Sequence, residues 1–347
     1  MGSVRTLLAI AVVFAHSYGF IFVGGRLAVQ LFYVISGFLI SYILVEARTY
    51  RTVSSFYANR FLRLFPIYWF VAISTIIAVL FASLIFNETH KTISTFEALG
   101  FGGKLSLALS NLLLFGQDWI MFTGVRGGDF QFVTDFRESD VQVWQGLLVP
   151  QAWTLGVELS FYLIAPFVLV RRNLMLALLL CSLFLRGYLI YIGLGTKDPW
   201  TYRFFPTELA LFLFGACAHQ FLKPFYEKRE LLTENHSKIL TVVIFIYCSV
   251  YFLLPYRGLI QLALIGAFIL FLPHLFKFQS NYRWDRKIGE LSYPIYISHM
   301  FVIWTVGYML GKLGIEYNTL IGSLIIVFIT VIFSQIMNGH LGDFNGD

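Results

Sequence analysis

Ten stretches of the chain are apolar for long enough to cross a hydrocarbon layer, and short polar or basic segments separate them. A helix needs about 17 to 25 predominantly apolar residues for that crossing. The expected spans fall near 6–23, 27–46, 64–86, 153–170, 173–194, 205–222, 238–254, 258–276, 291–311 and 319–337. An eleventh run, Gly100 to Phe115, is shorter, glycine-rich and interrupted by Lys104 and Asn111, so it is expected to re-enter the membrane or lie at its surface. The pattern predicts an all-α polytopic membrane helical bundle, with about ten transmembrane helices plus that re-entrant or interfacial segment.

The positions of the basic residues orient the bundle. With the amino terminus inside and the doubtful run not crossing, fifteen of the twenty-five Lys and Arg lie at the inner side, nine lie outside, and Arg186 sits within a span. Letting that run cross would push the last ten of the loop cations outward, against the positive-inside rule. Both termini are therefore expected inside, with a long outer segment from Asn87 to Pro150. Its stretch from Gln117 to Gln151 is rich in Gly, Asp, Phe and Trp and too short for an independent domain. A lid over a membrane cavity is expected there, because loops of this length are seldom idle. Residues 1–337 read as one domain and 338–347 as a short, polar, disordered tail.

Composition agrees with the pattern. The 347 residues are 58% hydrophobic and only 13% charged, and a mean hydropathy of +0.75 cannot be hidden in a soluble core. The net charge of +6 fits a face toward anionic lipid or phosphorylated ligands, though positive-inside loops produce the same excess. Cys181, Cys217 and Cys248 all fall in apolar runs and give neither a disulfide framework nor a thiolate metal site.

Candidate chemistry starts in the first span. Arg5 and His16 are eleven residues apart, about 16.5 Å of helical rise and about 20° of angular offset, so they share a face. If the helix crosses a membrane, Arg5 sits at one water interface and His16 near mid-depth, where an ionisable group is costly and therefore a functional candidate. A signal-peptide core is the alternative, and the second apolar run that follows at once argues against it. Arg60 and Arg63 stand three apart on a helical turn that Pro66 is expected to end as the third span begins. Two guanidinium forks on one face suit phosphate, and equally suit two topology-setting cations. Glu158 lies about a turn and a half inside its span. The hairpin about Arg171 and Arg172 is expected to set Arg186 opposite it, as a structural ion pair or part of a substrate site. Tyr33, Ser36 and Gly37 lie on the second span, with packing the commoner role for small residues. His299 is a second intramembrane imidazole, a proton-handling group or a satisfied core histidine.

No zinc-ligand spacing, dinucleotide fingerprint or aromatic-rich basic stretch for nucleic acid is present, and GYMLGK is one residue short of a phosphate-binding loop. Five segments together resemble the acyltransferase family 3 proteins, which are integral-membrane O-acyltransferases of carbohydrates. They are the Arg5 to His16 spacing, FYVISGFLI from Phe32, RFLRLFPIYW from Arg60, AWTLGVELSFYLIAP from Ala152 and LSYPIYISH from Leu291, in the family's order. The first residues and the closing NGHLGDFNGD depart from the family pattern.

The resemblance implies an acyl-CoA donor, acetyl-CoA above all, reaching a bacterial cytoplasmic membrane from inside, and a carbohydrate or glycolipid acceptor on the far side. Arg5, Arg60 and Arg63 would grip the coenzyme phosphates, and His16 would act as base or transient acyl carrier. Glu158 and Trp153 would hold the acceptor, with Tyr33, Ser36, Arg186 and His299 nearby. No metal and no nucleic acid are implied. A secondary transporter with midplane ionisable groups, or a non-catalytic acyl carrier or scaffold, would share the same hydropathy.

Overall fold

In the computed structural model, which describes residues 1–86, 89–200, 202–255 and 257–341, the apolar runs form helices that pack into one bundle. They are α1 (Gly2–Ser17), α2 (Gly24–Ser41), α3 (Val53–Phe86), α4 (Lys91–Ala98), α5 (Phe101–Leu113) and α6 (Gln117–Ile120). Then follow α7 (Trp153–Val168), α8 (Arg172–Tyr191), α9 (Phe205–Cys217), α10 (Lys223–Lys228), α11 (Glu234–Val250), α12 (Arg257–Ser280), α13 (Arg283–Glu290), α14 (Ser292–Lys312) and α15 (Leu320–Leu341). A helix appears at each of the ten expected spans. Seven stretches, the first Gly24–Glu46 and the last Leu320–Gly339, are long and apolar enough to cross a membrane on their own. Helices α1, α7 and α9 are shorter, at 16, 16 and 13 residues. Two of them, α1 and α7, carry Arg5, His16, Trp153 and Glu158.

Helix α1 ends six residues before the expected boundary. Gly19 takes φ of +134°, open to glycine and strained for other residues, and its N–H bonds back to the Phe14 carbonyl. The apolar residues that follow form a turn. His16 thus stands in the last turn of a helix about 24 Å long, beside His299 in the third turn of α14. Helix α3 begins eleven residues earlier than expected and runs through Pro66, so Arg60 and Arg63 lie inside a helix. Residues 42–46 and 218–222 continue α2 and α9 as wider π-helical turns. Helix α15 continues to Leu341, and the rest of the expected tail, 342–347, lies outside the described residues.

The core is built on α2 against α9, with α1 held between α2, α14, α13 and α15. Gly37 of α2 and Gly215 of α9 make the first contact possible. A methyl group on Gly37 would strike the Phe212 carbonyl, and one on Gly215 the Val34 carbonyl, so the backbones meet directly. One end of the bundle carries Arg5, Arg60 and Arg63, and will be called the arginine end. The other is roofed by residues 89–152, the cap.

Within the cap, α5 is 13 residues long and exposes Phe101, Leu105, Leu109 and Leu112, which suits an interfacial helix. Strands β1 (Thr123–Arg126) and β2 (Asp129–Phe132) form an antiparallel hairpin closed by Gly127 and Gly128 at φ +60° and +90°. Two positive φ values at the turn are what a tight two-residue hairpin requires. Asp118, 2% exposed, anchors the cap against Gly156 of α7, and its Oδ1 has no partner. Burial pushes this carboxyl up to about 7 from an ordinary 3.8, against its own backbone N–H and that of Trp119. An acid that binds its proton more tightly when folded adds stability below its unfolded value and loses it as pH rises through the folded one. Asp118→Asn should therefore raise the melting temperature at pH 8 by roughly 5 °C and flatten its decline between pH 5 and pH 8. A thermal scan with the wild-type pH dependence would show that Asp118 does not carry this cost.

Arg186 does not meet Glu158. Its helix faces α9, where the guanidinium donates to Glu208 Oε1 at 2.6 Å and to the Thr207 carbonyl at 2.9 Å. Glu208 is fully buried and also accepts from Gln30. Arg186→Ala strands a buried carboxylate, a loss of about 3–5 kcal/mol, and should sharply lower the yield of folded protein. Adding Glu208→Gln should restore much of it; no rescue in the double variant would count against the pairing.

Candidate functional site

Two chambers penetrate the bundle and share two wall residues, Val29 of α2 and Tyr296 of α14. The smaller, about 50 Å³, is lined by Arg5, Tyr33, Ser36, Thr154, Glu158 and Tyr293 among others. Glu158 Oε1 accepts from Ser36 Oγ at 2.7 Å and from the Tyr162 hydroxyl in a short bond. Its Oε2 takes part in neither bond. The Tyr33 hydroxyl is buried and has no partner among the described residues.

Arg5 lines the smaller chamber, and Arg60 and Arg63 lie within electrostatic range of it. Arg60 is 6% exposed and held in place, donating to Tyr50 at 3.0 Å and Asn59 at 2.6 Å while its guanidinium lies over Phe56 and Tyr162. Arg5 and Arg63 make no hydrogen bond to any described residue, although both lie within electrostatic range of Arg60, Glu158 and Tyr162. Three like charges facing one carboxylate leave a site short of negative charge. Helix α3 puts Arg60 and Arg63 on the same side because they are three residues apart.

The larger chamber, about 440 Å³, lies under the cap, whose Phe136, Arg137 and Trp144 form part of its wall. His16 is exposed here and makes no hydrogen bond to a described residue. Its ring lies 5.1 Å from that of His299, tilted by 34°. His299 is fully buried, and its Nδ1 lies 2.6 Å from the Tyr296 carbonyl. A carbonyl only accepts, so Nδ1 carries the proton and Nε2, which has no partner, keeps its lone pair. Trp153 is here as well, 6% exposed, with the Arg203 guanidinium 4.3 Å over its ring. That face of the indole is taken, and so is the Tyr202 ring, which has the Arg203 and Arg26 guanidinium groups 4.8 and 5.4 Å from its centre. Trp144 offers a freer aromatic surface in the wall.

The expected residues therefore divide. Arg5, Arg60, Arg63, Tyr33, Ser36 and Glu158 gather on the arginine side, and His16, His299 and Trp153 on the cap side. Glu158 was expected beside Trp153, but α7 crosses the partition, so residues five apart open into different chambers. Arg186 lines a third cavity of about 430 Å³ between α8, α9 and α12 and reaches neither chamber. The sequence reading missed Arg26, Gln151, Arg203 and Tyr296. Gln151 donates through Nε2 to the Ile297 carbonyl and leaves Oε1 unpartnered in the wall. A signal existed for Arg203, a loop cation set among Trp200, Tyr202 and Phe204.

A family model described as an acyltransferase domain matches residues 2–339, which include every residue of both chambers. The chain belongs to this family, acyltransferase 3, and with its bundle of apolar helices it is an integral membrane acyltransferase. An uncharacterized protein of Aquifex aeolicus is 26% identical over 170 residues, 46% of this chain and 73% of that protein. The peptidoglycan O-acetyltransferase OatA of Listeria monocytogenes is 25% identical over 332 residues, 86% of this chain and 48% of its own length. The chain thus spans about half of that relative. No solved structure matches it.

Proposed function

We propose that the protein moves an acyl group, acetyl in the simplest case, from cytoplasmic acyl-CoA to a carbohydrate hydroxyl on the far side of the bacterial cytoplasmic membrane. The arginine end faces the cytoplasm, both termini included, and the cap faces outward. The observation that carries this reading is the pair of chambers of unequal volume that share Val29 and Tyr296 as wall residues. A coenzyme arm fits the narrow one, and the wide one falls in the range of small-molecule sites.

In this reading the coenzyme phosphates sit on Arg5 and Arg63, with Arg60 fixed behind them, through charge-assisted bonds. The arm passes Glu158, whose free oxygen accepts an amide N–H, and delivers the thioester carbonyl to the partition. An acceptor hydroxyl in the wide chamber attacks that carbonyl while His16 takes its proton, an imidazole being suited to the task near neutral pH. The carbon–sulfur bond breaks, the ester forms, and the departing thiolate takes the proton from His16, which restores the base, before the thiol leaves toward the cytoplasm. His299, its lone pair turned inward beside His16, positions the catalytic ring. The resemblance over 86% of the chain to a peptidoglycan O-acetyltransferase supports a carbohydrate acceptor.

The test is direct. Purified protein in lipid nanodiscs should release free thiol from acetyl-CoA only when a surface glycan preparation is supplied, with labelled acetyl appearing as alkali-labile ester. Release with no ester formed, or none at all, would contradict the reading. Uptake of a solute into vesicles without any acyl donor would favour a transporter instead.

A further inference from the structure

The wide chamber has more positive charge than the structure itself neutralises. Arg26, Arg137 and Arg203 line it together with one carboxylate, Asp198. Arg203 engages Asp198 through Nε at 2.7 Å and a terminal nitrogen at 3.3 Å, and Arg137 reaches the same carboxylate at 2.9 Å. One carboxylate cannot balance three guanidinium groups, which stay charged at any working pH. Arg26 has no hydrogen bond or ion pair with any described residue. Its guanidinium lies 5.4 Å over the Tyr202 ring, with its side chain exposed at the chamber wall. The nearest carboxylate on a neighbouring helix, Glu208, is committed to Arg186 at 2.6 Å.

The remaining lining is of the kind that reads a sugar. Trp144 offers an aromatic face, Gln151 keeps an unpartnered carbonyl oxygen in the wall, and His16 opens into the same space. The Arg137–Asp198–Arg203 cluster has a sufficient structural reason to exist, since it ties the cap to the loop between α8 and α9. Arg26 has no such duty, and it marks where an external anion would sit.

Resting on the acyl-transfer reading above, we propose that the acceptor is an anionic glycan. A fixed carboxylate or phosphate on the sugar unit is held by Arg26 with the Arg203 cluster behind it, leaving a hydroxyl of the same unit at His16. A guanidinium fork matches either anion in two parallel hydrogen bonds. The anion thereby selects the acceptor and fixes which hydroxyl reaches the imidazole.

The experiment uses the purified chain in nanodiscs with labelled acetyl-CoA, and as acceptor the surface glycans of cells lacking this gene, split by anion exchange into anionic and neutral fractions. Label should enter the anionic fraction. It should be lost after carbodiimide coupling of methylamine if the anion is a carboxylate, or after hydrofluoric acid treatment if it is a phosphate, both leaving hydroxyls in place. Arg26→Ala should raise the KM for the anionic fraction about ten- to a hundred-fold, as expected for one charge-assisted contact, with the KM for acetyl-CoA unchanged. Arg26→Lys should recover part of the loss. Equal labelling of neutral glycans, or a rise in the KM for acetyl-CoA in place of the acceptor's, would overturn the proposal while leaving acyl transfer intact. Failure to label any fraction would remove the acyl-transfer reading and this inference with it.

Discussion

His16→Ala should lower kcat for acyl transfer about a thousandfold while the protein remains folded. Loss of a positioned general base typically costs 10² to 10⁴, and among the described residues lining the wide chamber no other is an imidazole. The fold should survive because His16 is exposed to the chamber and hydrogen-bonds to no described residue, so the truncation strands no buried partner. The comparison to make is kcat beside the melting temperature in the same nanodiscs. Transfer within tenfold of wild type, in a variant melting normally, would remove His16 from the chemistry.

Charge reversal at Arg63 should have the second large effect, on the donor alone. Arg63 and Arg5 are the two guanidinium groups of the arginine cluster that hydrogen-bond to no described residue, whereas Arg60 is occupied by Tyr50 and Asn59. Arg63→Glu replaces an attraction to phosphate by a repulsion and should raise the KM for acetyl-CoA about a hundredfold, more at low salt than at high. The acceptor's KM should not move. Arg60→Glu is a different experiment, because it breaks the Tyr50 and Asn59 bonds and should lower stability as well. Unchanged donor affinity in Arg63→Glu would place the coenzyme phosphates elsewhere.

Hydropathy located the helices because each must cover about 30 Å of hydrocarbon, and that demand is written residue by residue. It overran at α1, where Ile21, Phe22 and Val23 are as apolar as a helix interior but follow a glycine whose backbone ends the helix. It fell short at α3, because Val53 to Phe65 is too polar to look like a span yet joins one through Pro66. The Arg5 to His16 spacing put both side chains on one face correctly, since helical geometry alone decides that. The partner of Arg186 was misassigned because a hairpin argument considers only adjacent spans, whereas helix packing set α8 against α9 and its Glu208. The division into two chambers was not legible at all. It depends on Val29 of α2 and Tyr296 of α14, residues 267 positions apart that line both chambers and that no local pattern relates.

The central claim is that donor and acceptor enter from opposite ends and meet at that partition. A structure of the protein bound to a non-reactive thioether analogue of acetyl-CoA tests it most directly. The account predicts the phosphates on Arg5 and Arg63, the arm alongside Glu158 and Ser36, and the sulfur at Val29 and Tyr296 within reach of His16. Phosphates seated instead beneath the cap, on Arg26 and Arg203, would contradict it.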